Sequence, residues 1–186
     1  MPRLLLASSS PRRRELLAAM GVPFEVALSH AEEIESGAPD ELVLRNARLK
    51  GLAVLGDHKD AVVLSADTVV YLDGQVLGKP RDRRDAARMI ALLSGAWHEV
   101  YTGVFVAGNG REDAQLSVSR VKFDCLTDEE ILRYVETDEP MDKAGAYALQ
   151  GRGGMFVERI EGSYSNIIGL PMALTRRMLI GQGFSL

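Results

Sequence analysis

The stretch from Val62 to Leu72, Val-Val-Leu-Ser-Ala-Asp-Thr-Val-Val-Tyr-Leu, constrains this chain more than any other. An almost unbroken β-branched and aliphatic run of that length reads as a strand buried on both faces. Asp67 stands in its middle, followed by Thr68. A carboxylate there is costly unless it is hydrogen-bonded, paired with a cation or bound to a metal. A structural Asp capping a nearby turn is one reading. The other begins from Asp73-Gly74, a hairpin turn leading into Val76-Leu77-Gly78-Lys79-Pro80. That hairpin would return Lys79 toward Asp67, and an acid beside an ammonium suits phosphate or metal chemistry.

The 186 residues suffice for one substantial core, or for one domain folded as two lobes, and no linker or repeat divides 1–186. With 46% hydrophobic and 26% charged residues, the composition argues against disorder and against a membrane protein. No apolar run approaches the roughly 18 residues of a spanning helix. Leu4-Leu5-Leu6-Ala7 is too short for a signal-peptide core, and Arg12-Arg13-Arg14 follows it closely. Cys125 is the single cysteine, which excludes an internal disulfide and a cysteine metal cage. The expected address is the cytoplasm. A net charge of −4 gives no general drive toward nucleic acid or anionic membrane, so any anion site must be local.

One local site is visible near the N-terminus. Pro2 to Ala7 reads as a short buried strand, and Ser8-Ser9-Ser10-Pro11 opens a helix to about Met20. Ser10 suits the N-cap and Pro11 the first helical position. Arg12, Arg13 and Arg14 then crowd a helix end that is already positive, which is unfavourable until an anion arrives. Amide donors, serine hydroxyls and guanidinium forks would then converge on a phosphate. Alternatively the arginines face solvent or pair with acids.

Phe24 to Leu28 reads as a second strand, leading into the acidic loop His30-Ala31-Glu32-Glu33-Ile34-Glu35. Such loops are commonly just solvated, yet a Mg²⁺ site needs only one or two carboxylates, with substrate oxygens and water completing it. From Pro39 to about Leu55 the pattern is helical. Val43, Ala47, Lys50 and Val54 share one row, so Lys50 either snorkels or aims its ammonium at a buried anion. The row alone favours snorkelling. Arg81-Asp82-Arg83-Arg84-Asp85 begins another amphipathic helix, with the charges read as a solvent face. His98–Ala107 and Ala114–Phe123 read as a hairpin about Gly108-Asn109-Gly110, and Thr127-Asp128-Glu129-Glu130 as a capping box. Met155 to Ile160 reads as a last strand, Gly162 to Asn166 as a polar loop, and a final helix runs to about Ile180. The order is mixed α/β, with strand pairs that cannot all be parallel.

Other chemistries find no support in the pattern. His30, His58 and His98 lack zinc-site spacing, Ser65-Ala66-Asp67 lacks the glycines of a nucleophile elbow, and there is no P-loop. Hard-metal chemistry on a polyphosphate, with water as the nucleophile, remains.

Ala7-Ser8-Ser9-Ser10-Pro11-Arg12-Arg13, Ser65-Ala66-Asp67-Thr68, Gly78-Lys79-Pro80, Asp142-Lys143-Ala144-Gly145-Ala146-Tyr147, Gln150-Gly151 and Gly162-Ser163-Tyr164-Ser165-Asn166 together resemble the signature segments of the Maf family of nucleotide pyrophosphatases. The resemblance spans nearly the whole chain in order. It implies one domain over 1–186 with the inosine-triphosphatase-like (Maf/Ham1-like) α/β fold, an elongated mixed sheet flanked by helices, with two lobes and a central cleft. It also implies cleavage of nucleoside triphosphates between the α and β phosphates with a divalent cation, Mg²⁺ or Mn²⁺, and a homodimer. Carried over, it makes Asp67 the catalytic acid, gives Glu33 and Asp67 to the metal or water, and has Lys50 and Lys79 neutralise charge. Ser8, Ser10, Arg12 and Arg13 would hold phosphates, with Thr68 and Gln150 reading the base.

Tyr147, Gln150 and Ser163-Tyr164-Ser165-Asn166 are similar to the branch of that family acting on dTTP and UTP. One physical argument agrees: a glutamine amide offers one donor and one acceptor, matching O4 and N3–H of uracil or thymine. Gln150 as a simple turn residue is the alternative. Two rival functions stand beside the hydrolase. One is a nucleotide-binding regulator of septum formation and cell-division arrest, with incidental hydrolysis. The other is a nucleotidyltransferase, which would need a second substrate to release pyrophosphate.

Overall fold

The computed structural model describes residues 2–186. Its elements are, in order, β1 (Leu4–Leu6), α1 (Pro11–Ala19), β2 (Glu25–Val26), α2 (Pro39–Asp57), β3 (Val62–Leu72), β4 (Gln75–Leu77), α3 (Arg83–Leu93), β5 (Trp97–Gly108), β6 (Arg111–Phe123), α4 (Asp128–Val135), β7 (Val157–Glu161), α5 (Tyr164–Ile168) and α6 (Met172–Gly181). Short 3₁₀ turns cover Glu139–Asp142, Ala144–Ala146 and Arg152–Phe156. The strands form one seven-stranded sheet in the order β2-β1-β3-β5-β6-β7, with β4 added to β3. β1 pairs parallel with both β2 and β3, whereas β3–β4 and β6–β7 are antiparallel. The sheet is therefore mixed, as the order of elements predicts.

Two compact units are present. The first comprises 1–68, 102–117 and 169–186; the second comprises 69–101 and 118–168. In the first, α2 covers the sheet, with Val54 against Leu5, Ala7, Ala61 and Val63, and Ala47 against Phe105 and Ala107. In the second, α3 and α4 contribute Ala86, Met89, Ile90, Leu93, Ile131, Tyr134 and Val135 to a core with Val70, Val121, Phe123 and Phe156.

Local rules account for the boundaries. Ser10 caps α1 by accepting the Arg13 amide, and Thr127 with Glu130 forms the expected reciprocal box at α4. The Asp73-Gly74 turn has φ of 45° and 86°, the left-handed pair of a tight hairpin, and it sets Val70 opposite Leu77.

Several expectations are corrected. The Phe24–Leu28 strand shrinks to Glu25–Val26, an exposed pair at the sheet edge. Asp82 rather than Arg81 sets the start of α3, by accepting the Asp85 amide at 2.7 Å. Asp85 is not part of a solvent face: it is buried and accepts from Arg88 Nε and Nη2 at 3.0 and 2.8 Å. Hydrogen bonds from the Arg88 side chain and the Arg81 amide hold its carboxyl below the usual carboxylate range. The polar loop before the last helix contains α5, because the Ser163 hydroxyl accepts the Asn166 amide as an N-terminal cap does. No described helix is long and apolar enough to cross a membrane.

Candidate active site

The first unit gathers most of the residues singled out in the sequence. α2 lies against β3 closely enough that a Cβ on Gly51 would come within 2.7 Å of Ser65 Oγ, so only glycine permits the approach. The Ser65 hydroxyl in turn donates to the Ala47 carbonyl at 2.6 Å. With helix and strand this close, Lys50 on α2 reaches Asp67 on β3.

Lys50 Nζ donates to Asp67 Oδ1 at 2.7 Å and to Glu33 Oε1 at 3.3 Å. The Lys50 and Asp67 side chains are each 11% exposed, while that of Glu33 is 56% exposed. Lys50 therefore does not snorkel; its apolar row buries it and its ammonium is spent on two carboxylates. The ladder sets Val70 opposite Leu77. β4 ends at Leu77, and Lys79 follows it as an exposed residue off the paired strand.

Asn46, one turn before Lys50, was not among the sequence candidates. Its amide donates to Asp67 Oδ2 at 3.2 Å and to the Ile34 carbonyl at 2.9 Å, and accepts from the Ile34 amide at 2.8 Å. One buried side chain thus fastens the acidic loop beside Glu33 and orients the acid in the strand. The available signal was helical phase: position 46 is four before Lys50 and next to Ala47 on the buried face of α2.

The serine–arginine turn sits in the same unit. β1 runs out into Ser8, which is buried and accepts from the Ser10 amide at 3.2 Å. Arg13 folds inward from the first turn of α1. It donates through Nε to the Gly169 carbonyl at 2.9 Å, through Nη1 to Ser8 Oγ at 3.4 Å and through Nη2 to Thr68 Oγ1 at 3.1 Å. Thr68 continues the chain to the Thr102 hydroxyl at 2.9 Å. Burial holds the Arg13 pKa below its ordinary value; Asp67 draws it back up, and Arg12 adds to the depression. Arg13, Ser8, Ser10 and Thr68 are thus brought into one polar constellation, which also feels the field of Asp67.

Gln150 and Tyr147 belong to the second unit. Gln150 is exposed in the turn that precedes the 3₁₀ segment Arg152–Phe156. Tyr147 is buried, its hydroxyl 2.9 Å from His98 Nε2 and its ring edge-on to Phe123, so it is a core residue. Burial, then the nearby Tyr134, raises the Tyr147 pKa. The Ser163–Asn166 segment is structural as well. Ser119 Oγ accepts from the Ser163 amide and from Asn166 Nδ2, each at 3.0 Å, and Asn166 also donates to the Val100 carbonyl at 3.0 Å.

Among the described residues no three acids, histidines or cysteines cluster as a metal cage. Glu33 and Asp67 nevertheless suit a hard divalent cation. Both are oxygen donors already gathered about one ammonium, one of them open to solvent, and Mg²⁺ or Mn²⁺ sites commonly take only one or two protein carboxylates.

A mixed sheet flanked by helices, with a serine-capped, arginine-bearing helix and a buried carboxylate in one unit, places the protein in the α/β class. Its fold is that of the Ham1 proteins. The structure superposes on the Staphylococcus aureus Ham1 protein with a TM-score of 0.57 at 14% identity, covering 97% of this chain and 99% of that one. A HAM1 protein from Coxiella burnetii gives 0.52 at 12% identity, over 98% and 100% of the two chains. Residues 3–182 match the family described as Maf-like protein, and the chain belongs to that family. Three of its relatives named dTTP/UTP pyrophosphatase illustrate the match. That from Anaeromyxobacter dehalogenans is 51% identical over 100% of this chain and 96% of its own. Those from Deinococcus radiodurans and Bacillus velezensis are 47% and 45% identical, covering 99% and 95% of this chain and 95% of each relative.

Proposed function

We propose that this Maf-like protein is a nucleoside triphosphate pyrophosphatase that hydrolyses dTTP and UTP to the monophosphate and pyrophosphate. The observation that carries the reading is the buried Asp67 held on one oxygen by Lys50 and on the other by Asn46, in the same unit as the Ser8–Arg13 turn. A contact-only regulator has no use for a carboxylate buried at that cost. The relatives' shared name supplies the substrates.

The chemistry follows from these side chains. Arg12 and Arg13 take the phosphates, with Ser8 and Ser10 fixing the turn from which they project. Thr68, whose hydroxyl accepts from Arg13, orients that guanidinium in addition to the base contact given by the family resemblance. Asp67 accepts the proton of a water that attacks the α-phosphorus, and the bond from that phosphorus to the bridging oxygen breaks. Lys50 and Lys79 offset the charge that grows on the departing pyrophosphate. A divalent cation, when bound, is held by Glu33 and Asp67 and supplies Lewis-acid neutralisation of the phosphate oxygens. Gln150 reads O4 and N3–H of the pyrimidine, and an amide pocket that accepts thymine discriminates only weakly against uracil, since one methyl is worth about 1–3 kcal/mol.

The test is pyrophosphate release from dTTP, UTP, CTP and purine triphosphates, with Mg²⁺ and with a chelator. Release from dTTP and UTP in water alone, abolished by the chelator and restored by Mg²⁺, is expected. Release that requires a second, acceptor substrate would instead make the protein a nucleotidyltransferase.

A further inference from the structure

The segment carrying Gln150 is held from both sides by one pair of residues. Glu139, in the 3₁₀ turn that follows α4, accepts the Gly153 amide on Oε1 at 3.0 Å and the Arg152 amide on Oε2 at 3.0 Å. Its Oε1 also accepts the Tyr134 hydroxyl at 2.9 Å. That same hydroxyl accepts the Ala148 amide at 3.2 Å. The chain from 148 to 153 is therefore tied down two residues before and two residues after Gln150, which is itself exposed. All of these groups lie within the second unit.

We infer that the Tyr134–Glu139 pair is the positioning device for nucleobase selection, holding the backbone around Gln150 so that its amide is presented at one place against the base edge. This rests on the proposed role of Gln150 as base reader. Placement matters because a glutamine amide reads a pyrimidine edge with one donor and one acceptor side by side, and both must reach their partners at once. A loose turn scatters the point from which the side chain reaches the base, whereas a clamped backbone fixes that point. Selection of uracil and thymine over cytosine therefore depends on the clamp as well as on Gln150.

The carboxylate is built for this task. Burial opposes its ionisation, but the Gly153 and Arg152 amides and the Tyr134 hydroxyl outweigh burial and keep the Glu139 carboxyl below the usual range. The fit is also tight. Gly151 has extended backbone, φ −118° and ψ −155°, yet a Cβ there would come within 2.6 Å of Glu139 Oε1. An alanine at 151 would push the carboxylate off its amides without straining its own backbone.

The experiment measures kcat/KM for UTP and for CTP in wild type, Gln150→Ala, Glu139→Ala, Tyr134→Phe and Gly151→Ala, with the thermal midpoint of each. The UTP-to-CTP preference is expected to fall about tenfold in Gln150→Ala and by a comparable factor in Glu139→Ala and Gly151→Ala, the size expected for one mispaired hydrogen bond. A structural role alone would lower both substrates together and leave the ratio unmoved. Gly151→Ala keeps the test open should Glu139→Ala not fold. If Gln150→Ala collapses the ratio while the folded clamp variants retain it, the inference is overturned and the base-reading role stands. If Gln150→Ala leaves the ratio at the wild-type value, base reading by Gln150 is wrong and the inference falls with it.

Discussion

Lys50 Nζ lies 2.7 Å from Asp67 Oδ1, the two side chains equally withdrawn from solvent, and the same ammonium reaches Glu33 at 3.3 Å. A cation supplied by a helix thus makes tolerable a carboxylate that the strand sequence alone would forbid. Removing one partner of a buried pair leaves an uncompensated charge, which typically costs about 3–5 kcal/mol. Lys50→Met is expected to lose stability of that order in urea denaturation, along with turnover of dTTP. A Lys50→Met protein as stable as wild type would show that Asp67 is better hydrated than its burial indicates.

Asn46 joins the acid to the loop. Asn46→Ala strands the amide and carbonyl of Ile34 and frees Asp67 Oδ2, so a stability loss of about 1–3 kcal/mol is expected. Turnover should fall with it, and limited proteolysis should cut faster between positions 29 and 38. Unchanged cleavage in that loop would contradict the fastening role.

Arg13 uses the geometry of its fork, with Gly169, Ser8 and Thr68 on three different nitrogens. Lysine keeps the charge but not the fork. Arg13→Lys is expected to lower kcat/KM for dTTP by roughly 10–100-fold, corresponding to one charge-assisted hydrogen bond of about 1.5–3 kcal/mol. Near wild-type kinetics would remove Arg13 from the phosphate site.

His98 is buried among aromatic rings, and desolvation lowers its pKa from 6.5 to about 4. The unfolded chain therefore takes up a proton at a pH where the folded protein does not. The contribution of neutral His98 is complete above the unfolded value and is lost as pH falls from 6.5 toward 4. The loss integrates to about 3 kcal/mol. Chemical denaturation at successive pH values should show this slope, and His98→Phe should flatten it; an unchanged slope would assign it to other groups.

Much of this architecture was legible because local rules decided it. The Val62–Leu72 run became β3 with those ends, and Ser10-Pro11 and Thr127–Glu130 capped helices as their spacing predicts. The Maf resemblance was carried by the same loops and caps, and the family match bears it out. Failures arose where tertiary contacts chose among local options. For Lys50 the helical row alone favours snorkelling, because it shows neighbours on the helix and not the acid on the facing strand; the alternative, an ammonium aimed at a buried anion, is the one found. Asn46 is silent in the sequence, since an asparagine in a helix carries no signal until its phase is compared with Lys50. Tyr147 lies in a motif that resembles a substrate-specific segment, yet its ring and hydroxyl are both consumed by the core.

The central claim is that Asp67 takes the proton of the attacking water. Asp67→Asn preserves shape while removing the base, so the direct measurement is single-turnover dTTP hydrolysis by that variant beside its nucleotide affinity. Turnover reduced by roughly 10²–10⁴-fold, with dTTP binding held within a few-fold, is the expected result. Hydrolysis at close to the wild-type rate would contradict the assignment and, with it, the reading of this buried carboxylate as the centre of the enzyme.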